Sequence, residues 1–272
     1  MAGHLGRAGH DVTVFNRTAT KALAWVAEHG HRAAPTPGEA AEGAEFVMMC
    51  VGNDHDVREV GRAAIPAMAP GATLVDHTTA SADVARELAG LCSAAGLGFV
   101  DAPVSGGQAG AENGQLTVMC GCDDDEVFAA TEPVIGAYAR QVTWFGPAGA
   151  GQTTKMVNQI MIAGIVQGLS EAVNFAQKAG LDVDAVVDTL GKGAAGSWQL
   201  ENRARTMAAG EFEFGFAAEW MRKDLAICLA EAERIGARLP MTALVDQFYA
   251  QVIARGGRRW DTSSLVHLLQ HP

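Results

Sequence analysis

This sequence predicts two architectures in series: an α/β half with a mostly parallel sheet, followed by an all-α half built on one long helix. Three observations carry that prediction. From Asp11 to about Phe145 short β-rich runs recur with Ala-rich helical stretches between several of them, the pattern of strands covered by crossover helices. Between Pro147 and Pro240 there is no proline, and apolar residues there follow a helical period. At 272 residues and 49% hydrophobic content, the chain is long enough for two domains with a large core. We set them at 1–147 and 148–272.

Taken in order, Met1 to Arg17 read as the end of a helix (Leu5, Ala8), a stop at Gly9, and a strand ending in Asn16-Arg17-Thr18. That is the second half of a dinucleotide-binding, Rossmann-like βαβ unit. In such units a first strand and a Gly-x-Gly-x-x-Gly turn precede that helix and hold the cofactor pyrophosphate at its N-terminus. The sheet is therefore expected to be N-terminally incomplete by about 15 residues, and a chain without that turn is expected to bind the cofactor weakly. Asp11–Phe15, Phe46–Val51, Thr73–Val75, Gly98–Asp101, Leu116–Met119 and Gln141–Phe145 read as strands. Beyond Gly149, Lys155–Lys178, Val183–Leu190, Leu200–Met207 and Ala218–Ile235 read as helices. The first of these, extended back to about Ala150, would be about 45 Å long at 1.5 Å per residue, too long for one small domain, so it is expected to serve both. Gly164 and Gly168, one turn apart on it, permit close approach of another helix.

The formal net charge of −11 argues against nucleic acid as a partner. No stretch approaches the roughly 20 uninterrupted apolar residues of a membrane helix, and no secretory signal pattern opens the chain, so no membrane partner and a cytoplasmic location are expected. The five cysteines are odd in number and lie mostly inside apolar runs, where free thiols behave as small hydrophobes. Cys120-Gly121-Cys122 and the aspartates after it read as a strand end entering an acidic helix N-terminus rather than as a metal loop.

Two segments concentrate chemistry. In Asp101-Ala-Pro-Val-Ser105-Gly106-Gly107, successive backbone N–H groups of Ser105, Gly106 and Gly107 are able to face one concavity and bind a carboxylate. In Gly149-Ala-Gly-Gln-Thr-Thr-Lys155-Met-Val-Asn158, Lys155 and Asn158 stand three apart on a helix, so both reach the same side. A lysine beside a carbonyl and a bound carboxylate suits proton transfer. Arg17, at the strand end where NAD-binding units usually present an acid, points to NADP, with NAD as the alternative. Lys223-Asp224 reads either as part of a site or as a surface ion pair worth under about 1 kcal/mol. Trp198 reads either as core or as a pocket wall.

Together these residues make the chain resemble the β-hydroxyacid dehydrogenases, the family of 3-hydroxyisobutyrate dehydrogenase, tartronate semialdehyde reductase and the glyoxylate/succinic semialdehyde reductases. The resemblance rests on Asn16-Arg17-Thr18, Asp101 to Ala111, Gly149 to Asn158, Ser197-Trp198, Lys223-Asp224-Leu225 and Asp261 to Ser264, in the family's order. It implies hydride transfer between NAD(P) and a small 3-hydroxy acid or semialdehyde, with Lys155 as general acid/base. It further implies that Ser105, Gly106 and Gly107 hold the substrate carboxylate and that Asn158 orients the substrate. Thr79 would lie beside the nicotinamide ribose, Lys223 would close over the cofactor, and Asn16, Arg17 and Thr18 would meet its adenosine end. Val51 and Gly52 fall on a cofactor-contacting loop where the family often has Leu-Pro. A homodimer or homotetramer is expected, both from the family and from the apolar surface of the helical half. Two rivals remain: an imine reductase, a class that generally lacks this lysine, and a catalytically silent dehydrogenase-like module.

Overall fold

The structure, a computed structural model, describes residues 1–271. It divides into two units at Lys155/Met156, inside the long helix and eight residues beyond the boundary expected from the sequence.

The first unit runs α1 (Ala2–Arg7), β1 (Thr13–Val14), α2 (Ala19–His29), β2 (Arg32–Ala33), α3 (Pro37–Ala41), β3 (Phe46–Met49), α4 (Asp54–Ala64), β4 (Thr73–Asp76), α5 (Ala82–Ala94), β5 (Gly98–Asp101), β6 (Val104–Ser105), α6 (Gly107–Glu112), β7 (Leu116–Cys120), α7 (Asp125–Gly136) and β8 (Ala139–Trp144). β1 and β2 pair in parallel, as do β3, β4 and β5 in that order. β7 takes β6 antiparallel on one side and β8 parallel on the other, and an antiparallel bridge between Asp101 and Gly121 joins β5 to the end of β7. Along β4 and β5 successive side chains go to opposite faces, as a pleated strand requires. Leu74 and Phe99 enter one apolar cluster with Val57, Val84 and Leu88, and Val75 and Val100 enter another with Leu116, Val118, Ile135 and Tyr138. A parallel sheet buried on both faces is the arrangement the alternation predicted. Asp124 accepts hydrogen bonds from the Glu126 and Val127 N–H groups, so the acidic stretch after Cys122 is indeed a helix cap.

The second unit contains the rest of α8 (Ala150–Lys178), then α9 (Val183–Leu190), α10 (Trp198–Ala209), α11 (Ala218–Ile235), α12 (Pro240–Ala254) and α13 (Leu265–Gln270). Its core joins Ala163, Val166, Leu169 and Val173 of α8 to Met207, Met221, Leu225, Tyr249 and Leu265. A Cβ at Gly164 would stand 2.8 Å from the Met241 methyl carbon, so this glycine does allow α12 to approach α8; Gly168 meets nothing within 4 Å and carries no such contact. By length and hydropathy α8 could cross a membrane. Its Gln152, Lys155, Gln159 and Ser170 are nevertheless buried within the protein.

What positions the chemistry is the seat of α8. The Asp101 carboxylate, fully buried, accepts from the Gly149 N–H at 2.7 Å and the Gln152 N–H at 2.8 Å, capping a helix N-terminus with an anion. The approach is so close that a Cβ on Gly151 would lie 2.4 Å from the Met119 carbonyl oxygen and 2.6 Å from that of Asp101. Next to Asp101 across the strand pair stands Asp76, whose Oδ1 accepts from the Thr78 N–H at 2.9 Å while its Oδ2 is buried with no hydrogen-bond partner. His77 follows. Its Nδ1 donates to the Ala102 carbonyl at 2.7 Å, so its Nε2 accepts from the Tyr138 hydroxyl, also at 2.7 Å. Burial depresses the ring to about 4 and keeps it neutral.

Burial raises the Asp76 carboxyl from 3.8 to about 7, against its hydrogen bonds from Thr78. An acid with a native value above its unfolded one binds more protons when folded, so its contribution to stability declines as pH rises through that interval. Asp76→Asn is expected to raise the melting temperature by about 5 °C at pH 8 and hardly at all at pH 4. Equal melting curves for the two proteins at pH 8 would show that ionisation of this carboxyl costs the fold nothing.

Candidate active site

In the first unit the candidate residues lie on loops leaving the carboxyl ends of parallel strands, where open α/β sheets bind dinucleotides. After β1, the Asn16 side chain accepts from the Thr18 N–H at 2.8 Å, a local turn that leads Thr18 into the N-cap position of α2. Arg17 projects into solvent, its side chain 84% exposed, and its Nη1 lies 3.3 Å from Asp56 Oδ1. The Val51-Gly52 loop after β3 and the Thr78–Ser81 loop after β4 are tied together. The Val51 N–H donates to Thr78 Oγ1 at 2.9 Å, and the Ser81 N–H donates to Asp54 Oδ1 at 2.9 Å. Thr79, half-buried, lies in the middle of the second loop. Thus Val51, Gly52 and Thr79 belong to one braced structure, and Arg17 shares α4 with it through Asp56. The missing Leu-Pro is offset by the Val51–Thr78 hydrogen bond, which fixes the loop in its place. These donors, a guanidinium, hydroxyls and half-buried backbone, suit a nicotinamide dinucleotide.

β5 passes through Ala102-Pro103 into β6 and so to Ser105. Gly106 (φ +127°) and Gly107 (φ +62°) then take conformations that side chains resist, turning the strand into α6. Ser105 is half-buried and pairs with Thr117 across the β6–β7 ladder, whereas both glycines are exposed at a helix start, where N–H groups lack intrahelical partners. Lys155 lies four residues past Gly151 on α8 and is buried, 7% exposed. The loop and the lysine thus depart from the same anchor, Asp101.

In the second unit, Asn158 is half-buried and its amide donates to Gln159 Oε1 at 2.7 Å. Gln159 in turn donates to Asp224 Oδ2 at 2.6 Å, and Lys223 Nζ lies 3.0 Å from Asp224 Oδ1. Asp224 is 1% exposed, which removes the surface-ion-pair reading of Lys223-Asp224: the pair ends a polar chain running from α8 to α11. Trp198 opens α10 behind the Ser197 cap, whose Oγ accepts from the Leu200 N–H at 3.1 Å. At 56% exposed it is not core. The Arg203 guanidinium stands 4.7 Å from its ring centre and 5.0 Å from that of Phe214, and Arg203 Nε is 3.1 Å from the buried Asp261.

Sequence reasoning gave no role to Gln152, Gln159 or Arg203, and named Asp224 only together with Lys223. The spacing placed Gln152 and Gln159 one turn before and one turn after Lys155 on the same face, but their burial and partners, like those of Asp224 and Arg203, are set by the tertiary structure.

Residues 1–146 match the NAD binding domain of 6-phosphogluconate dehydrogenase, and residues 149–269 match the NAD-binding domain of NADP-dependent 3-hydroxyisobutyrate dehydrogenase. An uncharacterized oxidoreductase of Shewanella frigidimarina is 58% identical, covering 99% of this chain and 94% of its own. The 2-hydroxy-3-oxopropionate reductase of Escherichia coli is 33% identical over 99% of this chain and 92% of its own. Among solved structures, a Mycobacterium tuberculosis 3-hydroxyisobutyrate dehydrogenase with L-serine superposes with a TM-score of 0.89 at 28% identity, covering 99% of this chain and 94% of that one. With its parallel sheet, its glycine turn after β6 and its buried lysine on α8, the chain belongs to the β-hydroxyacid dehydrogenase family of NAD(P)-dependent oxidoreductases.

Proposed function

We propose that the protein interconverts a small 3-hydroxy acid and its semialdehyde, with Lys155 as the general acid/base and NADP as the preferred cofactor. The observation that carries this reading is the burial of Lys155 on a helix rooted in Asp101, from which the Ser105-Gly106-Gly107 turn also departs. When bound, the nicotinamide supplies or accepts the hydride. Arg17, Asn16 and Thr18 would hold its adenosine end; Val51, Gly52 and Thr79 its ribose and nicotinamide side; Lys223 would close over it. The Gly106 and Gly107 N–H groups and the Ser105 hydroxyl receive the substrate carboxylate; the Ser105 N–H, expected from the sequence to join them, belongs to the ladder with Thr117. Asn158, its amide fixed by Gln159, orients the substrate. In reduction Lys155 Nζ gives a proton to the carbonyl oxygen, and in oxidation it takes one from the hydroxyl; its burial keeps water out of that exchange.

Lys155→Ala is expected to lower turnover of succinic semialdehyde or 2-hydroxy-3-oxopropionate about a hundredfold or more while leaving cofactor binding nearly intact. Near-normal turnover would eliminate the assignment. A panel of cyclic imines run alongside tests the imine-reductase reading, which Lys155 disfavours; imine reduction faster than semialdehyde reduction would reverse our choice.

The cofactor preference rests on Arg17. We expect kcat/KM to favour NADPH over NADH by about tenfold and Arg17→Ala to erase the difference. A wild-type preference for NADH would remove the role given to Arg17.

The partner proposed is a second copy of the chain, as a homodimer or homotetramer. Supporting it, Val157 and Met161 on α8 and Leu244 on α12 are each more than half exposed, apolar surface of the kind that interfaces cover. Light scattering that returned only a 28.3 kDa species would contradict the assembly.

A further inference from the structure

Gln152 is fully buried, and both ends of its side-chain amide are committed to one short stretch of backbone. Its Oε1 accepts from the Ala80 N–H at 3.0 Å, and its Nε2 donates to the Thr78 carbonyl at 2.7 Å. Thr79 lies between those two groups. On its own backbone, Gln152 donates its N–H to Asp101 Oδ2, and Lys155 follows it by just under one helical turn. The other side of the loop is fixed as well, by the Val51 N–H on Thr78 Oγ1. A single buried residue therefore joins the turn that carries the lysine to the loop that carries Thr79, with every polar atom of its side chain used.

Neither a hydrophobic side chain nor an ion reproduces that pattern. One donor and one acceptor are needed at fixed positions, because a carbonyl faces one end and an N–H faces the other. Leaving either unpaired in a buried setting is unfavourable. The hydrogen bonds of the Gln152 side chain go to the loop after β4 and not to the substrate loop after β6. Its consequence is geometric: it sets the height of the Lys155 turn against the Thr79 loop, and misplacement of a reacting group by about 1 Å lowers rates by about a hundredfold.

We propose that Gln152 is a positioning residue that registers Lys155 against the Thr79 loop, so that its loss slows the chemical step and spares binding. The proposal rests on the role given above to Lys155. Two variants test it, with single-turnover NADPH oxidation by succinic semialdehyde as the readout and Lys155→Ala in parallel. Gln152→Leu, similar in volume and without polar atoms, is expected to lower the single-turnover rate about thirtyfold or more, with the NADPH dissociation constant and the substrate KM within about threefold of wild type. Gln152→Glu carries the sharper signature. When protonated, its carbonyl accepts from Ala80 and its O–H donates to Thr78, matching the amide; when ionised, it presents only acceptors to the Thr78 carbonyl. Burial favours the neutral form. The ratio of its rate to that of wild type should therefore climb at least tenfold as pH falls from 8 to 5, while the Gln152→Leu ratio stays flat.

Melting temperatures taken at each pH fix the assay temperature below the transition of every variant, so that the Glu-specific recovery is read on folded protein, where the rate falls while the NADPH dissociation constant and KM hold. A flat Gln152→Glu ratio, or a Gln152→Leu rate within threefold of wild type while Lys155→Ala collapses, overturns the inference alone. If the wild type reduces no semialdehyde, or Lys155→Ala matches it, the reading of Lys155 fails and the inference falls with it.

Discussion

The rest of the first unit depends on one interaction, the grip of the Asp101 carboxylate on the first turn of α8. Two N–H groups that a helix start cannot satisfy internally are given to a single anion at the end of a buried strand. The fit is available only to glycine at 151, because a Cβ there would occupy the space of two carbonyl oxygens. Burial pushes the Asp101 carboxyl up to about 6, and the two N–H bonds work against that rise. The helix N-terminus thus does for this carboxylate what water would do outside, and the carboxylate fixes where the helix begins.

From that root the polar residues of α8 follow as a stripe with separate duties. Gln152 satisfies backbone in the loop after β4, Lys155 is buried a turn later, and Gln159 bonds Asp224 on α11. Such residues are costly in a helix interior face unless each finds partners. For Gln152 and Gln159 the partners include loop backbone and a charged side chain outside the helix, so polar residues of a helix of membrane-like length and hydropathy are satisfied within the protein. The loops receiving these bonds are themselves cross-braced by Asp54 and Ser81, so the strand-end platform is held from two directions.

The fold was largely legible in the sequence, since alternation of period two against period 3.6 separates strands from helices in long segments. Gly98–Asp101 matched its expected bounds, and Phe46–Val51 lost only its last two residues. Boundaries were less so: the first strand shrank from Asp11–Phe15 to Thr13–Val14, because the residues around it pair only with the short β2. α12, Pro240–Ala254, went unread although Pro240 at its first position is a recognisable start. In the site, residue types with an obvious chemistry, Lys155 and the Ser105-Gly106-Gly107 turn, stood out. Gln152 and Asp224 did not, since their importance comes from being buried opposite particular backbone and charged groups, and burial opposite a named partner is a property of the tertiary structure. Lys223-Asp224 illustrates the point: as a sequence it is an ordinary adjacent ion pair, and only the 1% exposure of Asp224 turns it into the end of a polar chain.

Arg17 shows the converse, a residue whose sequence signal was plain and whose setting complicates it. Its guanidinium already faces Asp56 at 3.3 Å, so any 2′-phosphate would enter beside an existing carboxylate. The arginine is mostly exposed, and exposed pairs are worth under about 1 kcal/mol once solvent screening is included. A phosphate carrying close to two charges, with oxygens placed for bidentate contact, interacts more strongly with a guanidinium than one carboxylate does. The two anions need not exclude each other, because the planar fork presents five donors and Asp56 engages Nη1. On the proposed NADP reading, Asp56 would act as a brake on phosphate recognition rather than a bar to it. Its repulsion of an incoming phosphate would narrow the gap between the two nicotinamide cofactors, and that is the physical basis for proposing about a tenfold preference instead of a several-hundredfold one.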